Sequence, residues 1–176
     1  MRFFSPCRSV GQAIIAAGTL ALALLLPACP AFAAEDSAGP QALWASALPN
    51  TAGQTQTLSK YKGHPLVVNF WASWCGPCVQ EMPELSAMQT RYLPKGIQFV
   101  GIGVDSADNI QGFLKKVKVT YPIYVAGFGG ADLARAFGNS AGGLPYTVVI
   151  DAQGTVRYSK LGRIDAAELR QALNAL

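Results

Sequence analysis

An apolar stretch that leads straight into two cysteines limits the possible folds of this chain more than any other feature. Residues 66–71 read LVVNFW, a nearly continuous apolar run that is typical of a strand buried on both faces of a sheet. Residues 72–83 follow with ASWCGPCVQEMP, and beyond Cys75 the apolar residues recur every three or four positions, as on one face of a helix. A buried strand joined directly to a helix predicts an α/β layered domain, with the cysteines where the strand meets the helix.

The rest of the chain continues the alternation of strand and helix. Further strands are predicted at residues 55–58, 97–104, 121–125, 146–151 and 155–159, and helices at 75–93, 109–117, 131–137 and 165–173. The turn sequence DAQG at 151–154 joins the last two strands as a hairpin. Two glycine-rich segments, 127–130 and 138–143, lack the spacing of a phosphate-binding loop and are interpreted as turns. We therefore expect one domain with a central mixed β-sheet and helices on both of its faces.

The N-terminal segment is predicted to be an export signal. Arg2 and Arg8 provide a positive start, residues 13–26 are mostly apolar, and residues 31–33 read AFA, which fits a signal-peptide cleavage pattern. The apolar run is shorter than the roughly 18 residues that a membrane-spanning helix needs. We therefore expect residues 1–33 to be removed, so that the mature chain begins near Ala34.

Two alternatives keep the domain attached to a membrane. In one of them the apolar run is retained as an anchor. In the other Cys29 is lipidated, because residues 26–29 read LPAC and resemble a lipoprotein signal. All three interpretations place the folded part in the bacterial envelope, and the periplasm is the predicted location. Residues 34–45 are interpreted as a linker and residues 46–176 as the folded domain.

The charge of the chain argues against a nucleic-acid partner. The whole chain has a formal net charge of only +4, and its basic cluster consists of Lys115, Lys116 and Lys118. That spacing in a predicted helix is typical of a solvated face. We therefore expect no nucleic-acid binding, which depends on many contacts between cationic side chains and phosphates.

Three roles are open to the cysteine pair: a structural disulfide, half of a metal site, or a redox centre. Once the signal segment is removed, Cys75 and Cys78 are the only cysteines, and His64 is the only histidine, so the chain lacks the side chains of a four-ligand zinc site. A disulfide that closes so short a loop restricts the unfolded chain very little, which argues against a purely structural bond. A reversible redox pair is the favoured interpretation.

The predicted helix assigns different roles to the two sulfurs. Residues three apart on a helix are neighbours, so Cys75 and Cys78 can form a disulfide after a modest adjustment. Pro77 falls in the first turn, where its missing N–H costs nothing. The sulfur of Cys75 faces the positive end of the helix dipole, which favours the thiolate. Cys75 is therefore the predicted nucleophile, and Cys78 is predicted to resolve the mixed disulfide that Cys75 forms.

Two motifs resemble those of a known family. The sequences NFWASWCGPCVQEMP at 69–83 and GLPYTVVID at 143–151, together with the signal segment, are similar to the TlpA/ResA-like branch of the thioredoxin superfamily. This resemblance covers most of residues 45–176. It implies a thioredoxin-like fold, thiol-disulfide oxidoreductase activity and a Cys75/Cys78 redox pair, without a cofactor or a metal. It also implies that Pro145 follows a cis peptide bond, packs opposite the disulfide and helps to bind the substrate backbone.

The resemblance extends to a proton acceptor and to a substrate-binding surface. Where cytosolic thioredoxins have a buried aspartate, this chain has Asn69, so we expect Glu81, one helical turn beyond Cys78, to accept the proton of the resolving thiol. The alternative is that Glu81 only complements the helix dipole, a role that is also open to Glu84. Tyr146 stands where the family often has a small hydroxyl-bearing residue, which bears on the choice of partner. The residues expected to contact substrate are Trp74, Gly76, Pro77, Leu144 and Pro145.

The dipeptide between the cysteines predicts the direction of electron flow. Gly76-Pro77 is also the thioredoxin dipeptide, and the potential of thioredoxin is about −270 mV, against about −120 mV for the oxidant DsbA. We therefore expect a monomeric reductase of disulfides in exported proteins, such as apocytochrome c or a copper-site assembly factor. Because the periplasm is oxidising, the resemblance implies a membrane electron donor of the DsbD/CcdA type. A disulfide-donating oxidase or isomerase on the same fold is the alternative.

Functions from other classes fit the sequence less well. A copper-delivery protein of the Sco type needs a wider cysteine spacing and a distant histidine, whereas His64 precedes the motif. A peroxiredoxin needs a differently placed cysteine with an accompanying Thr and Arg. A binding module without redox chemistry does not need both cysteines. A redox enzyme is therefore the favoured function.

Overall fold

The computed structural model describes residues 38–176, which lie within the compact unit Ala34–Leu176. The predicted cleavage site and Cys29 lie outside the described residues. Between residues 38 and 176, no helix is long and apolar enough to cross a membrane. The export signal and its two alternatives therefore stay predictions.

Helices and strands alternate along the described residues. The helices are α1 (Ala38–Ala45), α2 (Gly76–Tyr92), α3 (Ala107–Leu114), α4 (Gly129–Ala136) and α5 (Ala166–Asn174). The strands are β1 (Ala47–Pro49), β2 (Thr55–Thr57), β3 (Leu66–Trp71), β4 (Gln98–Gly103), β5 (Ile123–Val125), β6 (Tyr146–Ile150) and β7 (Val156–Leu161). Short 3-10 helices follow β2 and α2, at Leu58–Tyr61 and Leu93–Lys95.

A five-stranded mixed sheet forms the centre of the domain, in the order β5-β4-β3-β6-β7. β3 lies in the middle, parallel to β4 on one side and antiparallel to β6 on the other. All six residues of β3 are buried, as its continuous apolar run predicts. β1 and β2 pair separately as a small antiparallel ribbon. The predicted α/β architecture with a central mixed sheet is confirmed.

Successive side chains of β3 enter different cores on the two faces of the sheet, because side-chain direction alternates along a strand. Val67 and Trp71 belong to a core formed with α2, α3 and α5. Val68 and Phe70 belong to a second core formed with α1 and α4. Both faces of the sheet are therefore covered by helices, and the motif that follows β3 begins between two packed layers.

The predicted linker needs a correction. Residues 38–45 form α1 rather than an extended connection. Leu43 is fully buried in the core that includes α4, and a Cβ atom at Gly39 would lie only 2.4 Å from Phe137 Cδ1. Glycine and proline are common in linkers, so the composition of this segment predicted one. In the structure, the glycine instead allows α1 to pack closely on Phe137. The folded domain therefore begins at or before Ala38.

Other differences from the sequence predictions concern the ends of elements. α3 begins two residues earlier than predicted because Ser106 Oγ accepts a hydrogen bond from Asn109 N–H at 3.2 Å and caps the helix. The apolar face of α2 was expected to include Leu93, which instead lies half exposed in a 3-10 turn. Gly96, at φ +82°, ends that turn in the left-handed region.

Candidate active site

The two cysteines lie at the N-terminus of α2, directly after the central strand. Cys75 is the N-cap residue, and its Sγ accepts a hydrogen bond from Cys78 N–H at 3.3 Å. The two sulfurs form a disulfide, with Cα atoms 5.3 Å apart, and Pro77 lies in the first turn. The predicted helix start and the predicted pairing of the two sulfurs both agree with this geometry. The positive end of the helix dipole lies at Cys75, where it favours a thiolate once the bond is reduced.

The two cysteines differ in their access to solvent. Cys75 is 7 % exposed and Cys78 is 0 % exposed, while Gly76 and Pro77 between them are exposed. The sulfur of Cys78 lies in the core formed with α2 and α5. Of the two sulfurs, Cys75 is therefore the one that an external thiol or disulfide can reach.

A buried carboxylate lies one helical turn beyond Cys78. Glu81 is 0 % exposed; its Oε1 accepts a hydrogen bond from Asn69 Nδ2 at 2.7 Å, and its Oε2 accepts one from Ile164 N–H at 3.0 Å. Burial raises the pKa of Glu81 to about 6, against these two hydrogen bonds, which favour the charged form. The carboxylate is therefore poised to gain and lose a proton near neutral pH.

Asn69 connects the carboxylate to the neighbouring strand. Its Nδ2 also donates to Thr147 Oγ1 at 3.0 Å, so that one amide group joins β3, α2 and β6. Both Asn69 and Thr147 are buried. Burial, and then the negative charge of Glu81, raise the pKa of the Tyr121 hydroxyl far above its usual value. Tyr121 therefore stays neutral beside this cluster and accepts no proton from the thiol.

The peptide bond between Leu144 and Pro145 is cis, as the resemblance implies. It immediately precedes β6, whose Tyr146 pairs with Phe70 of β3. Because the two strands are antiparallel, the start of β6 lies at the edge of the sheet where β3 ends and the cysteine motif begins. Leu144 packs against the core that contains both cysteines.

Tyr146 does not lie on the surface that a partner would meet. It is buried, and its hydroxyl donates to the carbonyl oxygen of Phe137 at 2.8 Å. The residue that departs from the family pattern after the cis proline therefore has a packing role inside the domain.

Comparison with known proteins decides the family. The family model described as Redoxin matches residues 28–176. The chain belongs to the Redoxin family. The chain is 28% identical to the thiol-disulfide oxidoreductase ResA of Geobacillus thermodenitrificans over 130 aligned residues. The alignment covers 73% of this chain and 72% of that protein. The resemblance to the TlpA/ResA-like branch of the thioredoxin superfamily is confirmed.

Solved structures agree with this Redoxin assignment. A protein from Chlorobium tepidum, described as a proposed thiol:disulfide interchange protein DsbE, is 32% identical with a TM-score of 0.66, over 74% of this chain and 91% of that one. A thioredoxin-related protein from Neisseria meningitidis serogroup B is 35% identical with a TM-score of 0.64, over 73% and 96% of the two chains. The fold is thioredoxin-like, and this Redoxin is a thiol-disulfide oxidoreductase that acts on protein disulfides.

A cleft lies next to Trp74, the residue that directly precedes Cys75. Trp74 is 70 % exposed, and together with Phe128 it borders a cleft of about 490 Å3. Asp105 borders the same cleft; its Oδ2 accepts hydrogen bonds from Ser73 N–H at 3.1 Å and Ser73 Oγ at 2.5 Å. Partial burial raises the pKa of Asp105, but hydrogen bonds from Ser73, Asn109 and Ser106 outweigh it and hold the pKa below its usual value.

The sequence analysis named Glu81 and Asn69 but not every residue around this site. The structure brings Glu81 and Asn69 into contact, which the sequence did not predict. Asp105 and Phe128 were not predicted, although an acidic residue directly after a buried strand and an aromatic residue between glycines were visible signals. Within residues 38–176, no three His, Cys, Asp or Glu side chains come together as a metal site.

Proposed function

We propose that this protein reduces disulfides in exported proteins, with Cys75 as the nucleophile, Cys78 as the resolving cysteine and Glu81 as the proton acceptor. One observation carries the proposal: a slightly exposed sulfur at a helix N-terminus and a fully buried partner sulfur one turn before a buried carboxylate. The thioredoxin dipeptide Gly76-Pro77 supports the reducing direction.

The reaction starts from the dithiol. The Cys75 thiolate attacks one sulfur of the client disulfide, so that a mixed disulfide forms and the other client sulfur leaves as a thiolate, which takes a proton from water. The Cys78 thiol then gives its proton to Glu81 and attacks Cys75 Sγ, which releases the second client thiolate. Two electrons pass to the client, and Cys75 and Cys78 end as a disulfide.

Burial explains why the second step needs a carboxylate. Cys78 is shielded from solvent, and a thiol in apolar surroundings loses its proton less readily because burial disfavours the thiolate. Glu81 lies three residues further along the same helix face, where side chains are neighbours, and its pKa of about 6 leaves it charged at neutral pH. It therefore acts as the internal base for the resolving thiol.

We assign the client-binding surface to Trp74, Gly76, Pro77, Leu144 and Pro145. The first three are exposed around Cys75, which supports their contact with an incoming chain. Leu144 and Pro145 precede β6 at the same edge of the sheet, which supports a role in aligning the client backbone beside the nucleophile.

The proposal places the protein in the periplasm, either free after cleavage or tethered through an uncleaved segment or a lipidated Cys29. Each turnover leaves the cysteine pair oxidised, and an oxidising compartment does not reduce a low-potential pair again. We therefore propose a membrane electron donor of the DsbD/CcdA type, with apocytochrome c or copper-site assembly factors as clients, and a monomeric enzyme.

The reduction potential of the Cys75/Cys78 pair tests the direction. The purified protein is equilibrated in graded thiol-disulfide buffers, and the reduced fraction is measured by thiol alkylation. We expect a potential near or below about −250 mV. A potential above about −150 mV would make the protein a disulfide donor and would contradict the reductase proposal.

Trapping in the envelope tests the division of roles between the cysteines. Cys78→Ser is expected to accumulate mixed disulfides with clients, because Cys75 attacks but is not resolved. The matched variant Cys75→Ser is expected to accumulate none. Equal trapping by both variants would contradict the assignment of Cys75 as the nucleophile.

A further inference from the structure

Two large aromatic side chains, one of them directly before Cys75 in the chain, face solvent across one cleft. Phe128 is 96 % exposed and Trp74 is 70 % exposed. Val104 and Gly127 join them in lining the cleft, whose wall is mainly apolar. Folding gains nothing from an aromatic side chain left in water, since hydrophobic stabilisation depends on the apolar area that is buried. Single exposed apolar residues are common, but two rings that border one apolar cleft form a patch of the kind that marks a binding site.

The backbone holds Phe128 in place although its side chain is unpacked. The carbonyl oxygens of Gly127 and Phe128 accept hydrogen bonds from Gly130 N–H at 3.2 Å and Ala131 N–H at 3.1 Å. Gly127 has φ +54°, a conformation that glycine adopts without strain. A Cβ atom at Gly130 would lie 2.9 Å from Val104 Cγ2, so the turn packs closely against the residue that follows β4. The ring is thus presented from a defined backbone, which lowers the entropic cost of binding.

From this placement we infer that the cleft between Trp74 and Phe128 binds a large apolar side chain of the client polypeptide, close to the client cysteine that Cys75 attacks. The inference rests on the proposed function, because it needs a client at Cys75. Its support is that Trp74 both lines the cleft and directly precedes the nucleophile in the chain, so the cleft adjoins the residue next to the sulfur that every client must reach.

Asp105 is expected to make the cleft disfavour negatively charged client residues. Its carboxylate borders the same space and is held in place by Ser73 and Asn109. A negatively charged client residue at this position is repelled, since like charges at short range disfavour binding. The favoured client therefore carries Phe or Leu near its cysteine, and a client with Glu at the same place reacts more slowly.

Peptide disulfides test the inference directly. Three peptides that differ only in the residue beside one cysteine, namely Phe, Ser or Glu, are reduced by the dithiol protein, and oxidised glutathione serves as a small disulfide that does not fill the cleft. With the unmodified protein we expect the Phe peptide to react about tenfold faster than the Ser peptide, equivalent to about 1.4 kcal/mol, and the Glu peptide to react most slowly.

Phe128→Ser is expected to remove the rate advantage of the Phe peptide. Its rates for the Ser peptide and oxidised glutathione are expected to stay within about twofold of those of the unmodified protein. Leu93→Ser is the matched control, because Leu93 is a half-exposed apolar residue at the other end of α2; it is expected to change no rate. Equal rates for the Phe and Ser peptides, or an equal loss for every disulfide in Phe128→Ser, would overturn the inference.

A binding measurement separates this inference from the proposed function. Peptides with serine in place of cysteine are titrated against the oxidised protein, so that no thiol exchange contributes. Tighter binding of the Phe peptide that is lost in Phe128→Ser supports the cleft even if the reduction potential contradicts the reductase. Sedimentation tests the other occupant, a second copy of the chain. If the unmodified protein sediments as a dimer and Phe128→Ser as a monomer, a second copy occupies the cleft and the inference is overturned.

Discussion

The two sides of the Cys75–Cys78 disulfide have opposite character, and both contradict the usual distribution of residues. Beneath it lie buried polar groups, Glu81 and Asn69, in the interior. On the other side, at the residue before Cys75 and across a cleft from it, lie exposed aromatic rings, Trp74 and Phe128. In most domains carboxylates are on the surface and large aromatic side chains are inside.

Both arrangements cost stability, which indicates that each serves the reaction. A buried carboxylate loses hydration that two hydrogen bonds only partly replace, and the raised pKa of Glu81 records that loss. An exposed Phe128 forgoes the stabilisation that burial would provide. In the proposed mechanism the buried side moves a proton that water does not reach, and in the inferred cleft the exposed side meets a polypeptide that comes from outside. Departures from the usual distribution are expected at functional sites.

The largest predicted effect concerns the buried side. We expect Glu81→Gln to slow the resolving step at pH 7 by about 100-fold, because an amide does not accept the thiol proton and general-base catalysis contributes at least this factor. Rapid-mixing kinetics of mixed-disulfide breakdown measures it.

Glu84→Gln is the control for Glu81→Gln, since it removes a neighbouring negative charge on the same helix and leaves the buried carboxylate in place. It is expected to change the rate by less than about threefold. Equal effects of the two substitutions would mean that Glu81 acts through its charge and not as a proton acceptor, and would weaken the comparison between the two sides.

The next effect is a dependence of stability on pH. The pKa of Glu81 is raised from 4.5 to about 6 in the folded state, so between these values the folded protein binds more protons than the unfolded chain. The free energy of unfolding therefore falls by about 2 kcal/mol as the pH rises from below 4.5 to above 6.

Urea unfolding of the oxidised protein at pH 4.5 and pH 7 measures this dependence, with Glu81→Gln as the reference. The difference between the two proteins isolates Glu81 from carboxylates with lowered pKa values, such as Asp105 and Glu168, because they occur in both. Parallel profiles in the two proteins would show that Glu81 does not titrate in this range.

The smallest predicted effect concerns Asn69 and tests its influence on the pKa of Glu81. Asn69→Ala removes the hydrogen bond from Nδ2 to Glu81 Oε1, which favours the carboxylate, so the pKa of Glu81 is expected to rise further above 6, by up to about one pH unit. The midpoint of the pH profile of the resolving step measures this shift, which a simple loss of stability does not produce.

Thr147→Val is the matched control for Asn69→Ala. It removes the other acceptor of Asn69 Nδ2 and leaves the bond to Glu81 in place. We expect its midpoint to stay within about 0.3 pH units of the unmodified protein. A midpoint that moves equally in both variants would mean that Asn69 acts through packing of β6 and not through its bond to the carboxylate.

Local patterns predicted the parts of the site that depend on neighbouring residues. The run at residues 66–71 was sufficient to identify the central strand, and the spacing of Cys75, Pro77 and Cys78 was sufficient to place the helix start. The cis bond before Pro145 followed from the family resemblance. Residues 38–45 were misinterpreted because their composition resembles a linker, whereas the packing of Leu43 decides that they form a helix.

The sequence by itself determined the chemistry of this protein: two cysteines spaced for one helical turn, a glutamate one turn further along, and the strand that precedes them. Only the tertiary structure decided the environment of those groups. The bonds from Asn69 and Ile164 to Glu81 join residues 12 and 83 positions apart in sequence, and the cleft joins Trp74 to Phe128 across the ends of different elements. Hydrophobic periodicity reports which face of an element is buried, but it carries no information on which distant element covers that face. For this reason the sequence identified Glu81 as a candidate but not the cleft between Trp74 and Phe128.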